Sequence, residues 1–173
     1  STKQGKWEKS KFNGTEINGK YLGLIGCGNI GSIVASRALG LKMKVLAYDP
    51  FLTQEKASEL GVEKVNLDYL LGNSDIISLH TPLTEDTKNI ISSEAISVMK
   101  KGSRIINCAR GGLVDEVACR AALETGHLAG AAFDVFTEEP AKENILFDAP
   151  NFVATPHLGA ATIEAQENVA IQI

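Results

Sequence analysis

Short apolar runs alternate along this chain with segments whose apolar residues recur at helical spacing. Tyr21–Ile25 runs into glycines, Met43–Tyr48 is closed by Asp49-Pro50, and Asp75–His80 is stopped by Thr81-Pro82. Arg104–Cys108, Ala129–Val135 and Asn151–Thr155 repeat the theme, and Val62–Val65 is a brief version suited to a sheet edge. Runs of this length, bounded by turn residues, read as strands. Between them, Ile30–Leu39 carries Ile30, Ile33, Val34 and Ala38 at the spacing of one helical face. Gln54–Leu60 predicts a helix stopped at Gly61, and Ser93–Met99 one ended by Lys100-Lys101-Gly102. Asp115 caps a further helix that runs to about Thr125. Strands apolar on both faces need helices on both sides of the sheet. Right-handed crossovers then give an α/β fold with a doubly wound parallel sheet. Residues 1–19 and 136–150 are the least patterned. Residues 1–19 read as an interdomain segment, 20–160 as the domain itself, and 161–173 as the start of a return helix.

Composition narrows the class without changing this picture. The 173 residues favour one domain, and 44% hydrophobic with 22% charged content is ordinary for a soluble globular protein. A formal charge of −4 argues against nucleic acid or an anionic membrane as partner. No apolar run approaches the roughly 20 residues of a membrane span. Ser1–Lys20 is polar and basic, which does not suit a signal peptide. Cys27, Cys108 and Cys119 lack zinc spacing, so no metal is expected, and a reducing, cytoplasmic setting fits them. Trp7 stands among Lys3, Lys6, Lys9 and Lys11, a solvated face rather than a nucleic-acid patch. The missing initiator Met and the end at Ile173 make the chain read as part of something longer.

Gly26-Cys27-Gly28-Asn29-Ile30-Gly31 matches G-x-G-x-x-G, follows a strand and opens a helix, the context that the dinucleotide mechanism requires. Gly26 permits the tight turn, Gly28 lets backbone approach a pyrophosphate, and Gly31 lets helix and strand pack closely. The helix N-terminus adds free N–H groups and a partial positive charge. Asp49 ends the second strand 18 residues after Gly31 and can accept hydrogen bonds from ribose hydroxyls. It would repel a 2′-phosphate, so NAD is favoured over NADP. A Rossmann-type domain with NAD as cofactor is the expectation.

Three later blocks carry the chemistry: Asn107–Gly112, Phe133–Pro140 and Thr155–Ala160. Each begins where an apolar run stops. They offer Arg110, the carboxylates Asp134, Glu138 and Glu139, and His157. An arginine can grip a substrate carboxylate in a two-pronged bond and polarise the neighbouring carbonyl. Imidazole suits transfer of a hydroxyl proton, and a carboxylate beside it orients the ring. His80 reads as a pocket-wall or hydrogen-bonded residue, His127 as surface, and Cys27 as a small buried filler.

With these residues together, the chain resembles the NAD-binding domain of the D-isomer-specific 2-hydroxyacid dehydrogenases over nearly its whole length. Gly26–Gly31, Tyr48-Asp49-Pro50, His80–Leu83, Asn107–Asp115, Phe133–Pro140 and Pro156–Ala160 carry the likeness. The later blocks are most similar to the branch that acts on a phosphorylated hydroxy acid. The resemblance implies a catalytic set of Arg110, Glu139 and His157, with Glu139 preferred to Glu138 because it abuts Pro140. It implies pyrophosphate contacts from Asn29 and Ile30, an adenine and ribose wall from His80, Thr81 and Pro82, and a nicotinamide ribose contact along Cys108, Ala109 and Arg110. Asp134 would hold the carboxamide, and Leu158, Gly159 and Ala160 would close over the ring. It further implies a small anionic 2-hydroxy acid as substrate, a homodimer or homotetramer, and a separate substrate domain that this sequence does not include. Other D-2-hydroxy acids such as glyoxylate, hydroxypyruvate or lactate stay open as substrates, as does a non-enzymatic, NAD-sensing module like the corepressors similar to this family.

Overall fold

The computed structural model describes residues 1–159 and 161–165. Among the described residues, seven strands form one parallel sheet: β1 (Tyr21–Ile25), β2 (Lys44–Tyr48), β3 (Glu63–Lys64), β4 (Ile76–Leu79), β5 (Ser103–Asn107), β6 (Leu128–Phe133) and β7 (Phe152–Ala154). Their spatial order is β3-β2-β1-β4-β5-β6-β7, with every neighbouring pair parallel. The doubly wound sheet expected from the apolar runs is the one found. The helices are α1 (Asn29–Gly40), α2 (Gln54–Leu60), α3 (Leu67–Asn73), α4 (Ser93–Val98) and α5 (Glu116–Glu124). Two short 3-10 turns, Thr2–Gln4 and Lys9–Phe12, occupy the leading segment.

Two buried clusters sandwich the sheet, as strands apolar on both faces demand. One gathers Ile25, Leu46, Leu70, Leu79, Ile105 and Leu128 under α3, α4 and α5. The other sets Leu22, Leu24, Val45 and Ala47 against Ala35, Ala38 and Ala57 of α1 and α2. Strand order reverses between β1 and β4, because α1 leaves toward β2 while α3 returns to β4 on the other side. Ligands of open α/β sheets bind beyond the strand C-termini at such a switch point.

The structure corrects the sequence reading at two elements. The helix α3 was not expected; Asn66 caps it by accepting from the Tyr69 N–H at 2.8 Å, and Leu70 and Leu71 bury its inner face. It lies so close to the sheet that a Cβ on Gly23 of β1 would come within 2.6 Å of Leu70 Cδ2. In α1 the buried face is Gly31, Ala35 and Ala38, whereas Ile30 and Ile33 are 61% and 53% exposed. Small residues let α1 approach the strands more closely than isoleucines would, so the larger apolar residues turn outward. The expectation of a return helix over 161–173 falls mostly outside the described residues, as does the assignment to Ala160. Among the described residues no helix is long and apolar enough to cross a membrane.

Candidate active site

The loop after β1 is shaped by three glycines for two different reasons. Gly26 sits at φ +94°, a region that side chains disfavour, and a Cβ there would lie 2.5 Å from the His80 carbonyl oxygen. A Cβ on Gly31 would lie 2.3 Å from the Gly26 carbonyl oxygen. The protein itself therefore requires both. Gly28 is different: a Cβ there would meet nothing within 4 Å, and the residue is exposed. Only a partner brought up against the backbone would make its bareness useful.

The start of α1 gives the same indication. The N-cap residues Thr53, Asn66, Ser92 and Asp115 of α2 to α5 each accept from a backbone N–H of the first turn. Gly28 caps α1 with no side-chain bond, and Asn29 and Ile30 are exposed beside it. The first N–H groups of a helix have no intrahelical acceptor, and together with the helix dipole they suit a phosphate. The residues present fit the pyrophosphate of a dinucleotide. Asp49, at the end of β2, braces the loop: one carboxylate oxygen accepts from the Cys27 N–H and the other from the Phe51 N–H, both at 2.8 Å. Each oxygen keeps a second acceptor position for a hydroxyl.

Across the switch point, the His80 N–H donates to the Ile25 carbonyl at 2.8 Å, which seats Thr81 and Pro82 opposite the glycine loop. The His80 ring is half-buried, with Nε2 2.9 Å from Ser78 Oγ, and burial holds its pKa below the ordinary value. It is a hydrogen-bonded residue beside the glycine loop. His127 also departs from a free surface role: its Nε2 lies 2.8 Å from the Ile96 carbonyl oxygen, and the residue is half-buried.

Beyond β5 the chain turns on Asn107, which is 1% exposed. Its Nδ2 donates to the Arg110 carbonyl at 2.9 Å and its Oδ1 accepts from the Ala109 N–H at 3.1 Å. This closed turn presents Cys108 and Arg110 outward. The Arg110 guanidinium donates through Nη1 to the Ala109 carbonyl at 2.6 Å and is otherwise exposed. Partial burial of the sulfur and the Asp134 charge push the Cys108 thiol up, away from thiolate chemistry. Gly111 then passes beneath the next loop so tightly that a Cβ would overlap the Phe136 carbonyl oxygen at 1.9 Å.

Beyond β6, Asp134 is buried at 6% exposure. Its Oδ1 accepts from Thr155 Oγ1 at 2.5 Å and from the Leu158 N–H at 2.9 Å, two residues that flank His157. Burial alone would raise this carboxyl's pKa. The bonds from Thr155, Leu158 and Gly159, with the His157 charge, more than offset it and hold the group below the ordinary carboxylate range. Between those anchors His157 adopts φ +55°, an uncommon conformation for a non-glycine residue. Its Nδ1 lies 2.7 Å from Glu139 Oε2, while Glu139 Oε1 accepts from the Phe136 N–H at 3.0 Å. The bond to His157 and the Phe136 N–H lower the Glu139 pKa. A carboxylate on Nδ1 leaves Nε2 as the ring atom available for a proton. The pair borders a cavity of about 580 Å³, walled by Phe136, Pro140, Phe147 and Pro156.

The sequence-selected residues thus fall into two groups at the C-terminal end of the strands. Gly26, Gly28, Asn29, Ile30, Gly31, Asp49, His80, Thr81 and Pro82 surround the switch point. Cys108, Ala109, Arg110, Asp134, Glu139, His157, Leu158 and Gly159 follow β5, β6 and β7. Glu139, not Glu138, holds the histidine. Asn107 and Thr155 open two of the three chemistry-bearing blocks but carry no site role in the sequence reading. Asn107 gave a signal, a polar residue closing an apolar run before glycines, whereas nothing near Thr155 announces a carboxylate 21 residues away.

Comparison with known proteins adds a family. Residues 1–159 match the model described as D-isomer specific 2-hydroxyacid dehydrogenase, NAD binding domain. The chain is 51% identical over 173 residues to D-3-phosphoglycerate dehydrogenase of Bacillus subtilis, covering all of this chain and 33% of that protein. It is 50% identical over 173 residues to the protein of the same name from Synechocystis, covering all of this chain and 31% of that one. Among solved structures, D-lactate dehydrogenase from Aquifex aeolicus complexed with NAD and lactic acid superposes with a TM-score of 0.87 at 34% identity, over 99% of this chain and 56% of that chain. This chain therefore spans about a third of the length of the curated relatives it matches.

Proposed function

This chain belongs to the D-isomer specific 2-hydroxyacid dehydrogenases as an NAD-binding domain, and from that premise we propose that it supplies the cofactor site and proton-transfer groups of an enzyme oxidising 3-phosphoglycerate to 3-phosphohydroxypyruvate, the entry to serine synthesis. The carrying observation is the 2.7 Å bond between His157 Nδ1 and Glu139 Oε2 beside the cavity, at the same C-terminal end of the strands as the open glycine loop. The choice of substrate rests on the two relatives of that name.

When bound, NAD supplies the acceptor for the hydride that leaves the alcohol carbon. The chain's own residues do the rest. Gly28, Asn29 and Ile30 offer the uncapped start of α1 to the pyrophosphate, and Asp49 meets the adenosine ribose. Thr81 and Pro82 line that side, and Cys108 to Arg110 run along the second ribose. Asp134, with its second carboxylate oxygen, takes the carboxamide. His157 removes the hydroxyl proton through Nε2, and Glu139 holds the ring and stabilises its cation. Arg110 grips the substrate carboxylate and polarises the carbonyl as it forms. Leu158 and Gly159 close over the ring. In this reading, residues 1–19 link the domain to a substrate domain encoded elsewhere in the whole protein, which works in the cytoplasm as a homodimer or homotetramer.

The test follows NADH absorbance with 3-phosphoglycerate, glyoxylate, hydroxypyruvate and D-lactate, using the whole protein and its His157→Gln variant. Turnover of 3-phosphoglycerate above the others, with a loss of at least about 10²-fold in the variant, is expected. Preference for another acid reassigns the substrate. Absence of turnover with retained NADH binding would favour a sensing module instead. The 173-residue chain by itself is expected to bind NADH and turn over substrate very poorly.

A further inference from the structure

Glu139 hangs on the loop between β6 and β7, which has no regular secondary structure of its own, and its partner His157 follows β7. Glu139 and His157 are 18 residues apart, and neither is buried. Something else must fix where Glu139 stands. The first turn of α5 supplies it. Glu116 Oε1 accepts from the Thr137 N–H at 3.3 Å and from Thr137 Oγ1 at 3.1 Å, and Glu116 Oε2 accepts from Asn144 Nδ2 at 2.7 Å. One half-buried carboxylate thereby holds the loop on both sides of Glu139. One turn further along α5, Arg120 Nη1 donates to the Ile145 carbonyl. Asn144 Oδ1 in turn accepts from the Leu146 N–H at 2.8 Å, which carries the restraint into the buried Leu146.

The same loop is held from beneath. Gly111 touches the Phe136 carbonyl, while the N–H of Phe136 donates to Glu139 Oε1 at 3.0 Å. The Phe136 ring meets Phe147 edge-on at 5.5 Å between centroids. A contact path therefore runs from the Arg110 turn through Gly111, Phe136 and Glu139 to His157, and Glu116 pins its middle at Thr137.

We infer that Glu116, with Gly111 beneath the same loop, is a positioning residue that sets the Glu139–His157 pair from the first turn of α5. The inference deepens the proposed function and rests on it only for the kinetic readout. Glu116 meets no reacting group in this arrangement; it acts through Thr137 and Asn144. Gln at 116 keeps one acceptor oxygen for Thr137 but sets an amide donor against the Asn144 donor, whereas Ala keeps neither bond.

The experiment compares Glu116→Ala, Glu116→Gln and Gly111→Ala with the parent. In the 173-residue chain, proton NMR follows the His157 imidazole N–H that the Glu139 bond shelters from exchange. In the whole protein, NADH affinity, KM and kcat are measured. Glu116→Ala is expected to lose or broaden the sheltered signal and lower kcat on the order of tenfold, below the ~10²-fold cost of a full ångström misplacement. NADH affinity should be unchanged, and Glu116→Gln should recover part of the signal and of kcat. Adding Glu116→Ala to Glu139→Gln should lower kcat no further. Gly111→Ala should lose the signal as well; should it fail to fold, the Glu116 pair decides alone. An unaltered His157 signal and kcat in Glu116→Ala would overturn the inference, as would equal losses in the Ala and Gln variants. If no variant or parent turns over a hydroxy acid while the NMR signal responds as described, the proposed function fails and the positioning role stands.

Discussion

The loop after β1 and the loops after β6 and β7 serve one end of the strands but are built by opposite means. The first is made by what is missing. Gly26 and Gly31 clear space for backbone, and Gly28 leaves the start of α1 uncovered. The second is made by what is added: Asp134, Glu139 and Glu116 each hold a backbone or ring atom, and the Thr155 hydroxyl donates to the Asp134 carboxylate. A site that greets a phosphate needs unsatisfied donors, whereas a site that moves one proton needs every atom but one already occupied.

Substitutions at each region should therefore fail differently. The largest effect is expected at the proton-transfer side: His157→Gln should lower kcat of the whole protein by ~10²–10⁴-fold, the usual worth of a general base, with NADH affinity retained in a fluorescence titration. Within the glycine loop, Gly31→Ala should destabilise the fold by roughly 1–3 kcal/mol, the scale for overpacking a close contact, read from a urea midpoint. Gly28→Ala, where the protein has room, should leave that midpoint alone and weaken NADH binding by about tenfold, or ~1.4 kcal/mol. Equal losses of stability at positions 28 and 31 would erase the distinction between glycines the fold needs and the glycine the ligand needs.

A milder test uses acid. The folded-state carboxyl of Asp134 lies below its ordinary pKa. It therefore contributes stability that is present above the ordinary carboxylate range and lost as pH falls through the depressed folded value. Asp134→Asn should be less stable than the parent at neutral pH, and the gap should close on acidification; a gap independent of pH would mean that the charge plays no part. The smallest change is expected at the edge of the fold, where Asn66→Ala should cost ~1 kcal/mol through loss of the α3 cap, without altering NADH affinity.

The same contrast explains how much could be read in the residues alone. Strands and the glycine loop are local events, and Tyr21–Ile25 followed by Gly26, Gly28 and Gly31 announces them within a dozen residues. Helix α3 escaped because Asn66–Asn73 is short and polar at both ends; its two leucines matter only once β1 lies beneath them. The burial of Ala35 in place of Ile33 escaped for a related reason, since helical spacing alone does not tell how close the strand comes. Arg110, Asp134, Glu139 and His157 stood in blocks that begin where apolar runs stop, and it was mainly the resemblance to a known family that assigned them roles. The carboxylate of Glu116 did not, because its bonds reach Thr137 and Asn144, 21 and 28 residues away. It looked like the ordinary acidic residue of a helix's first turn.

The uncapped start of α1 has one more consequence, in heat. Helices α2 to α5 carry their own acceptor and keep it when the protein is empty; α1 waits for one from outside. A ligand that binds only the folded chain adds RT ln(1 + [L]/Kd), about 2.7 kcal/mol at a hundredfold excess over Kd. For a domain of this size, each kcal/mol raises the melting temperature by about 2–4 °C. NADH should therefore shift the melting curve upward by roughly 5–10 °C at that excess. The fold is thermally completed by the molecule it exists to hold.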